Sequence, residues 1–112
     1  MTKFKNDDPL YRLLRDGDIR AFNEQRKATA ELDFSDCDFR GLDLRGLDAR
    51  GINFDNAYFR QTDLRGIDLS SASHRGATIK GANISGTYFP TALRAEEIKL
   101  SYEQGTRMRY KD

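Results

Sequence analysis

From Ala30 to Phe89 the apolar positions recur every five residues, in twelve consecutive units with no insertion. The last position of each unit carries Phe34, Phe39, Leu44, Ala49, Phe54, Phe59, Leu64, Leu69, His74, Ile79, Ile84 and Phe89. Ten of these twelve are bulky and apolar, so they define an inner ladder. Two positions earlier stand smaller residues, from Leu32 and Cys37 through Ala57 and Thr62 to Ala82 and Thr87. A polar residue, usually Asp or Asn, separates the two. Two apolar positions around one polar residue make a short strand of period two, with the apolar pair on one face. The other two residues of the unit are polar, and the second is Gly in seven units. Gly recurring there predicts a turn at positive φ, as in a type II turn. A short strand and a corner that always turns the same way wind into a coil, whose inward apolar pairs fill its own axis. Such a solenoid is quasi-one-dimensional, and no single turn of it buries a core alone.

The runs RGLDLRGLDARGINF and RGATIKGANISGTYF resemble the units of the pentapeptide-repeat family, whose pattern is roughly A-(D/N)-(L/F)-X-X. The resemblance covers about sixty of the 112 residues. It implies an all-β solenoid, a right-handed quadrilateral β-helix with four units to a coil. Twelve units then make about three coils, which stack to only about 15 Å at the ordinary strand spacing. The four-unit period is carried by the resemblance, since a repeat of five does not dictate it. It sets Phe34 beneath Phe54 and Phe39 beneath Phe59, two aromatic ladders whose offset stacks add roughly 0.5–1.5 kcal/mol per pair.

The flanking segments read as helical. Residues 1–7 are polar and expected to be loose. Asp8 before Pro9 is a helix-start signal, Leu10, Leu13 and Leu14 share a face, and Gly17 stops the helix. Asp18 caps a second segment in which Ile19, Phe22, Asn23 and Arg26 fall on one face. The order Leu14, Gly17, Asp18, Phe22, Asn23, Arg26 is similar to lead-ins found ahead of bacterial pentapeptide repeats. Its expected role is a lid over the open bottom of the coil. After Phe89 the repeat ends at Pro90. Thr91 is expected to cap a helix through ALRAEEIKLSYEQ that Gly105 stops. The division expected is an N-terminal helical cap at 1–29, a repeat β-helix at 30–90, and a C-terminal helix and tail at 91–112.

The C-terminal helix carries one stripe of Ala95, Ile98 and Tyr102 and a second of Leu93 and Leu100. One stripe suffices to lid the column. The surplus one, with Tyr102, Met108 and Tyr110 nearby, makes Leu93, Leu100, Tyr102, Met108 and Tyr110 a candidate homodimer contact. The competing expectation is that both stripes fold onto the top coil and leave a monomer.

Charge narrows the choice of partners. With 33% charged residues and a formal net charge of +1, bulk electrostatics require neither nucleic acid nor membrane. One cysteine, Cys37, excludes an internal disulfide and suits a reducing compartment. No apolar run at the N-terminus reads as a signal peptide, and none approaches a membrane span. A cytoplasmic location is expected. On the outer walls Arg40, Arg60 and Lys80 form one column and Arg45 and Arg65 another, a possible basic stripe for an acidic partner. Asp38, Asp43 and Asp63 stand two residues before arginines, so the plainer expectation is a mosaic of surface pairs worth roughly 0–1 kcal/mol each.

Catalytic chemistry finds little purchase. His74 is the sole histidine and sits at an inner position of SSASH, a unit without Gly or carboxylate. A metal needs three or four ligands, and Cys37 falls two coils and one face away. The expected state of His74 is a buried, neutral imidazole hydrogen-bonded within the column, or one turned outward by a local bulge. GANISGTY has the glycine spacing of a phosphate loop without its lysine. The aspartates recur because one repeat position prefers them, and calcium-binding solenoids have a nine-residue period that is absent here. No enzyme activity and no cofactor are expected. The function expected is a non-catalytic protein-binding or scaffold module. The alternative, which the resemblance implies, is a DNA-mimic binder of DNA gyrase or topoisomerase. It calls for a long acidic rod, whereas this repeat is short and carries nine acids against seven bases.

Overall fold

The computed structural model describes residues 8–111. The expectation of a loose segment at 1–7 lies outside them. Two short helices open the chain. Helix α1 spans Pro9–Arg15, after an extended Asp8 whose carbonyl accepts the Arg12 N–H at 2.9 Å. Helix α2 spans Ile19–Gln25, and Asp18 Oδ1 caps it by accepting the Ala21 N–H at 3.2 Å. A single 3-10 turn, Arg26–Ala28, leads into the repeat.

Within the repeat, two segments hold enough ladder to count as strands, β1 (Leu32–Asp33) and β2 (Ile52–Asn53), paired in parallel with Leu32 opposite Ile52. Isolated parallel bridges continue the same register: Asp38 with Tyr58, Asp43 with Asp63, Asn53 with Ser73, Tyr58 with Thr78, Asp63 with Asn83 and Asp68 with Tyr88. Every one of these pairs is twenty residues apart, four of the five-residue units. Strands this short arise because each unit gives only its central three residues to the ladder and spends the rest on a corner. The bonds between layers are well formed, with Phe34 N–H donating to Asn53 O at 2.8 Å and Tyr58 N–H to Cys37 O at 3.0 Å.

The corners explain the glycines. Gly51 has φ +68°, and a Cβ there would meet the Ala30 carbonyl oxygen at 2.7 Å. In three of the five units without that Gly, Asp36, Asn56 and Gln61 take the same position at φ of 61°, 60° and 58°. Asp and Asn tolerate this region better than most residues.

The axis is filled by the last position of each unit. Phe34, Phe39, Leu44, Ala49, Phe54, Phe59, Leu64, Leu69, His74 and Ile79 are buried, whereas Ile84 and Phe89 are only half-buried. Phe34 stacks on Phe54 with centroids 6.2 Å apart, and Phe39 on Phe59 at 5.3 Å. Edge-on contacts join the two stacks, as between Phe54 and Phe59 at 5.3 Å. Thr62 is fully buried because its hydroxyl donates to the Phe39 carbonyl at 2.6 Å. A buried hydroxyl without such a partner would be costly.

Below the first layer, Tyr11 and Phe22 pack on Phe34, and Tyr11 also on Phe39. The polar groups of α1, α2 and the 3-10 turn take up backbone atoms of that layer. Tyr11 Oη donates to Asp38 O at 2.6 Å, and Arg26 Nη1 to Asp48 O at 2.8 Å. Asn23 Nδ2 donates to Gly46 O while its Oδ1 accepts the Asp48 N–H, both at 2.8 Å. One side-chain amide thus imitates a peptide group.

At the other end, helix α3 spans Ala95–Gln104 and stops at Gly105 in the left-handed conformation. It begins later than the expected cap at Thr91. Residues 91–93 form a turn, closed by Leu93 N–H donating to Pro90 O at 3.0 Å, and Leu93 is buried rather than on the helix. Burying an isolated leucine at the column end wins over one more turn of helix. The tail then returns over the repeat, with Met108 N–H donating to Ala77 O at 3.0 Å.

Candidate functional site

The walls are built by a local device. Asp38, Asp43, Asp48 and Asp63 each accept, through Oδ1, the backbone N–H of the residue two further on, an Asx turn at the corner. That residue is an arginine in all four, and its guanidinium returns to the same carboxylate. Nη2 of Arg40, Arg45, Arg50 and Arg65 reaches Oδ2 at 2.8, 2.7, 2.8 and 2.7 Å. Arg45 Nε also lies 3.4 Å from Asp63 in the layer above, which links two pairs into a short network. Hydrogen bonds from the arginines hold the Asp43 and Asp48 carboxyls down at about 2 and lower those of Asp38 and Asp63.

The candidate basic stripe is therefore divided. Arg40, Arg45 and Arg65 are committed to their own aspartates. Arg60 and Lys80, with Tyr58 and Thr78 two residues back, make no ion pair among the described residues. The stripe carries less free charge than its sequence implies.

His74 points into the column. It is fully buried, with its ring 5.1 Å from Phe54 and 5.7 Å from Phe59. Its backbone N–H donates to Tyr110 Oη at 2.7 Å, but neither ring nitrogen meets a hydrogen-bond partner among the described residues. The expected hydrogen bond within the column is absent because phenyl rings surround the position. Burial alone pushes its pKa down to about 3, so the imidazole is neutral. Among the described residues no three His, Cys, Asp or Glu side chains come together as a metal site.

The C-terminal end is where the structure departs most from expectation. Of the five residues expected at a dimer contact, Leu93 and Met108 are buried within the chain, at 5% and 1% exposure. Tyr110 is half-buried and stacks beneath the Arg75 guanidinium at 4.5 Å. Only Leu100 and Tyr102 remain exposed. The tail is pinned by Glu97, which is buried and holds Arg109 Nη2 at 2.8 Å and the Arg109 N–H at 2.9 Å. Those bonds hold the Glu97 carboxyl at about 2.

Tyr88 was missed by sequence reading and is the most exposed large hydrophobic side chain among the described residues, at 68%. The signal was present: Tyr88 occupies the fourth position of SGTYF, where most units carry Asp or Asn. Beside α3 lies a groove of about 720 Å³ lined by Gly81, Ala82, Ile84, Ala95, Ile98 and Tyr102.

A family model described as Pentapeptide repeats matches the chain in eight copies, over residues 33–70 and 52–89. Comparison with curated proteins and with solved structures gives no match.

Proposed function

The chain belongs to the pentapeptide-repeat family, and from that premise we propose that it is a non-catalytic protein-binding module of the cytoplasm. Its column, residues 30–90, is a right-handed quadrilateral β-helix of about three coils. Residues 8–29 cap one end, and the helix and tail of 91–111 cap part of the other. Rigid walls of this kind offer no cleft for water-excluding chemistry, and they suit recognition of another protein. No helix among the described residues is long and apolar enough to cross a membrane.

One observation carries the reading. The walls are largely neutralised by Asp–Arg pairs, while Tyr88, Leu100 and Tyr102 stand exposed at the C-terminal end. Tyrosine is enriched in interface anchors. The alternative of a DNA mimic for gyrase or topoisomerase needs bare charge at a spacing near that of DNA, about one per 1.7 Å. Here Asp38, Asp43, Asp48 and Asp63 all hold arginines.

The test is capture of a discrete partner by the immobilised chain from an extract of its native host. Capture should be lost with Tyr88→Asp plus Tyr102→Asp and kept with Arg45→Gln plus Arg65→Gln, each of unchanged circular dichroism. Failure of the tyrosine pair to matter would refute the reading. Inhibition or protection of gyrase supercoiling would favour the alternative.

A further inference from the structure

At the C-terminal end the backbone ladder is completed over only part of its perimeter. The N–H groups of His74, Gly76, Ile79 and Gly81 donate to Tyr110 Oη, Met108 O, Ser101 Oγ and Tyr102 O at 2.7, 2.8, 3.1 and 3.2 Å. Helix α3 and the tail thus stand where a further layer would run. Met108 pairs as a strand residue would, since its own N–H returns to Ala77 O while its side chain is buried.

Beyond Gly81 this substitution stops. One layer down, the N–H groups of Leu64, Gly66 and Leu69 donate to Asn83, Ser85 and Tyr88, and those of Asn83 and Tyr88 donate to Thr62 and Ile67. The equivalent groups in the last layer are the N–H of Ile84, Gly86 and Phe89 and the C=O of Ala82 and Thr87. None of the five has a hydrogen-bond partner among the described residues. The same stretch holds the only two ladder residues that are half-buried, Ile84 and Phe89.

We propose that this open edge docks an extended segment of a partner protein, which adds a strand over residues 82–89. The inference rests on the protein-binding reading and names the surface and the partner's form. An open edge of unpaired N–H and C=O groups is a template for β-augmentation. The occupant's form follows from the tail, which already pairs with the adjoining part of this edge and inserts an apolar side chain. Helix α3 makes a step beside this edge, with Ala95, Ile98 and Tyr102 across a groove from Ala82 and Ile84, so a second column end laid flat on it is held off the edge by the helix. A single strand fits the step. Its chemistry follows from what it must cover: apolar residues at alternate positions over Ile84 and Phe89, and Gly or Asn at the corner that Gly86 turns below it.

The probe is a synthetic peptide with the sequence RQTDLRGIDL, that of residues 60–69 one layer below this edge. It is titrated into the isotope-labelled full chain and followed by amide NMR. Binding at millimolar peptide should shift the Ile84, Gly86 and Phe89 amides, slow their hydrogen exchange, and leave Phe54 and Phe59 unmoved. Ile98→Glu, which places a charge in the groove and leaves the backbone groups of the edge in place, should weaken binding about tenfold with an unchanged circular dichroism spectrum, the scale of a lost apolar anchor. A scrambled peptide that shifts the same amides equally would overturn the proposal. So would shifts confined elsewhere, no binding, or a concentration-dependent dimer using this edge. If a partner is captured from extract yet leaves these three amides unmoved, this proposal fails while the protein-binding reading stands.

Discussion

The His74 ring lies 5.1 Å from that of Phe54, so an imidazole continues the stack of phenyl rings that begins at Phe34. Nothing polar reaches its nitrogens among the described residues, and burial holds its pKa at about 3 against an ordinary 6.5. The unfolded chain takes up a proton below about pH 6.5, whereas the folded chain does not until about pH 3. Stability from this position is therefore full above pH 6.5 and is lost as pH falls from there toward 3. The loss amounts to about 3 kcal/mol by about pH 4.5. The aspartates held by arginines weaken only in a lower window, between their ordinary 3.8 and about 2. His74→Phe should abolish the slope between pH 6.5 and 4.5 in denaturant unfolding. An unchanged slope would place the pH sensitivity elsewhere.

Asn23 closes the bottom of the ladder, and its removal should show how much that is worth. Asn23→Ala leaves the Gly46 carbonyl and the Asp48 N–H without their 2.8 Å partners. Both groups are within partial reach of water, so the loss is that of ordinary hydrogen bonds, roughly 0.5–1.5 kcal/mol. Glu24→Ala, one residue on, breaks only the exposed pair with Lys27 and should change stability by less than about 0.5 kcal/mol. Chemical denaturation of both variants reads the difference. Equal effects would mean that the amide is not a ladder surrogate.

Two glycine corners should respond differently to alanine. Gly41 and Gly51 both have positive φ, at +72° and +68°, and share a left-handed penalty of about 1–2 kcal/mol. At Gly41 an added Cβ meets nothing within 4 Å, whereas at Gly51 it meets the Ala30 carbonyl oxygen at 2.7 Å. Gly51→Ala should melt several degrees below Gly41→Ala. Coincident melts would contradict the close approach of Ala30 to this corner.

What could be read from the chain depended on how far each residue's partner lay from it. The burial of Phe34, Phe39, Phe54 and Phe59 was legible because a period of five repeats the same face. Their pairing at a distance of twenty was not in the period and came with the family resemblance. The Asp–Arg pairs were legible because both partners sit two residues apart. Asn23 was legible only as one residue on a helical face, since its partners lie in the unit around Gly46 and Asp48. Leu93 and Met108 read as surplus apolar residues because an apolar stripe shows a face but not the body that covers it. Both are consumed by the column end itself. The unpaired edge at Ile84 and Phe89 left no mark in the sequence, because Ile and Phe are the ordinary residues of the inner position in other units too.

The central claim is a column whose ladder is complete inside and open over residues 82–89. Native-state hydrogen exchange of single amides tests it most directly. The account predicts that the N–H groups of Phe54, Phe59, Leu64 and Leu69, bonded at 2.8, 2.9, 2.9 and 2.7 Å, exchange only on global unfolding. It predicts that Ile84, Gly86 and Phe89 exchange orders of magnitude faster in the same sample. Protection of Ile84 and Phe89 equal to that of Leu64 and Leu69 in a monodisperse monomer would contradict it.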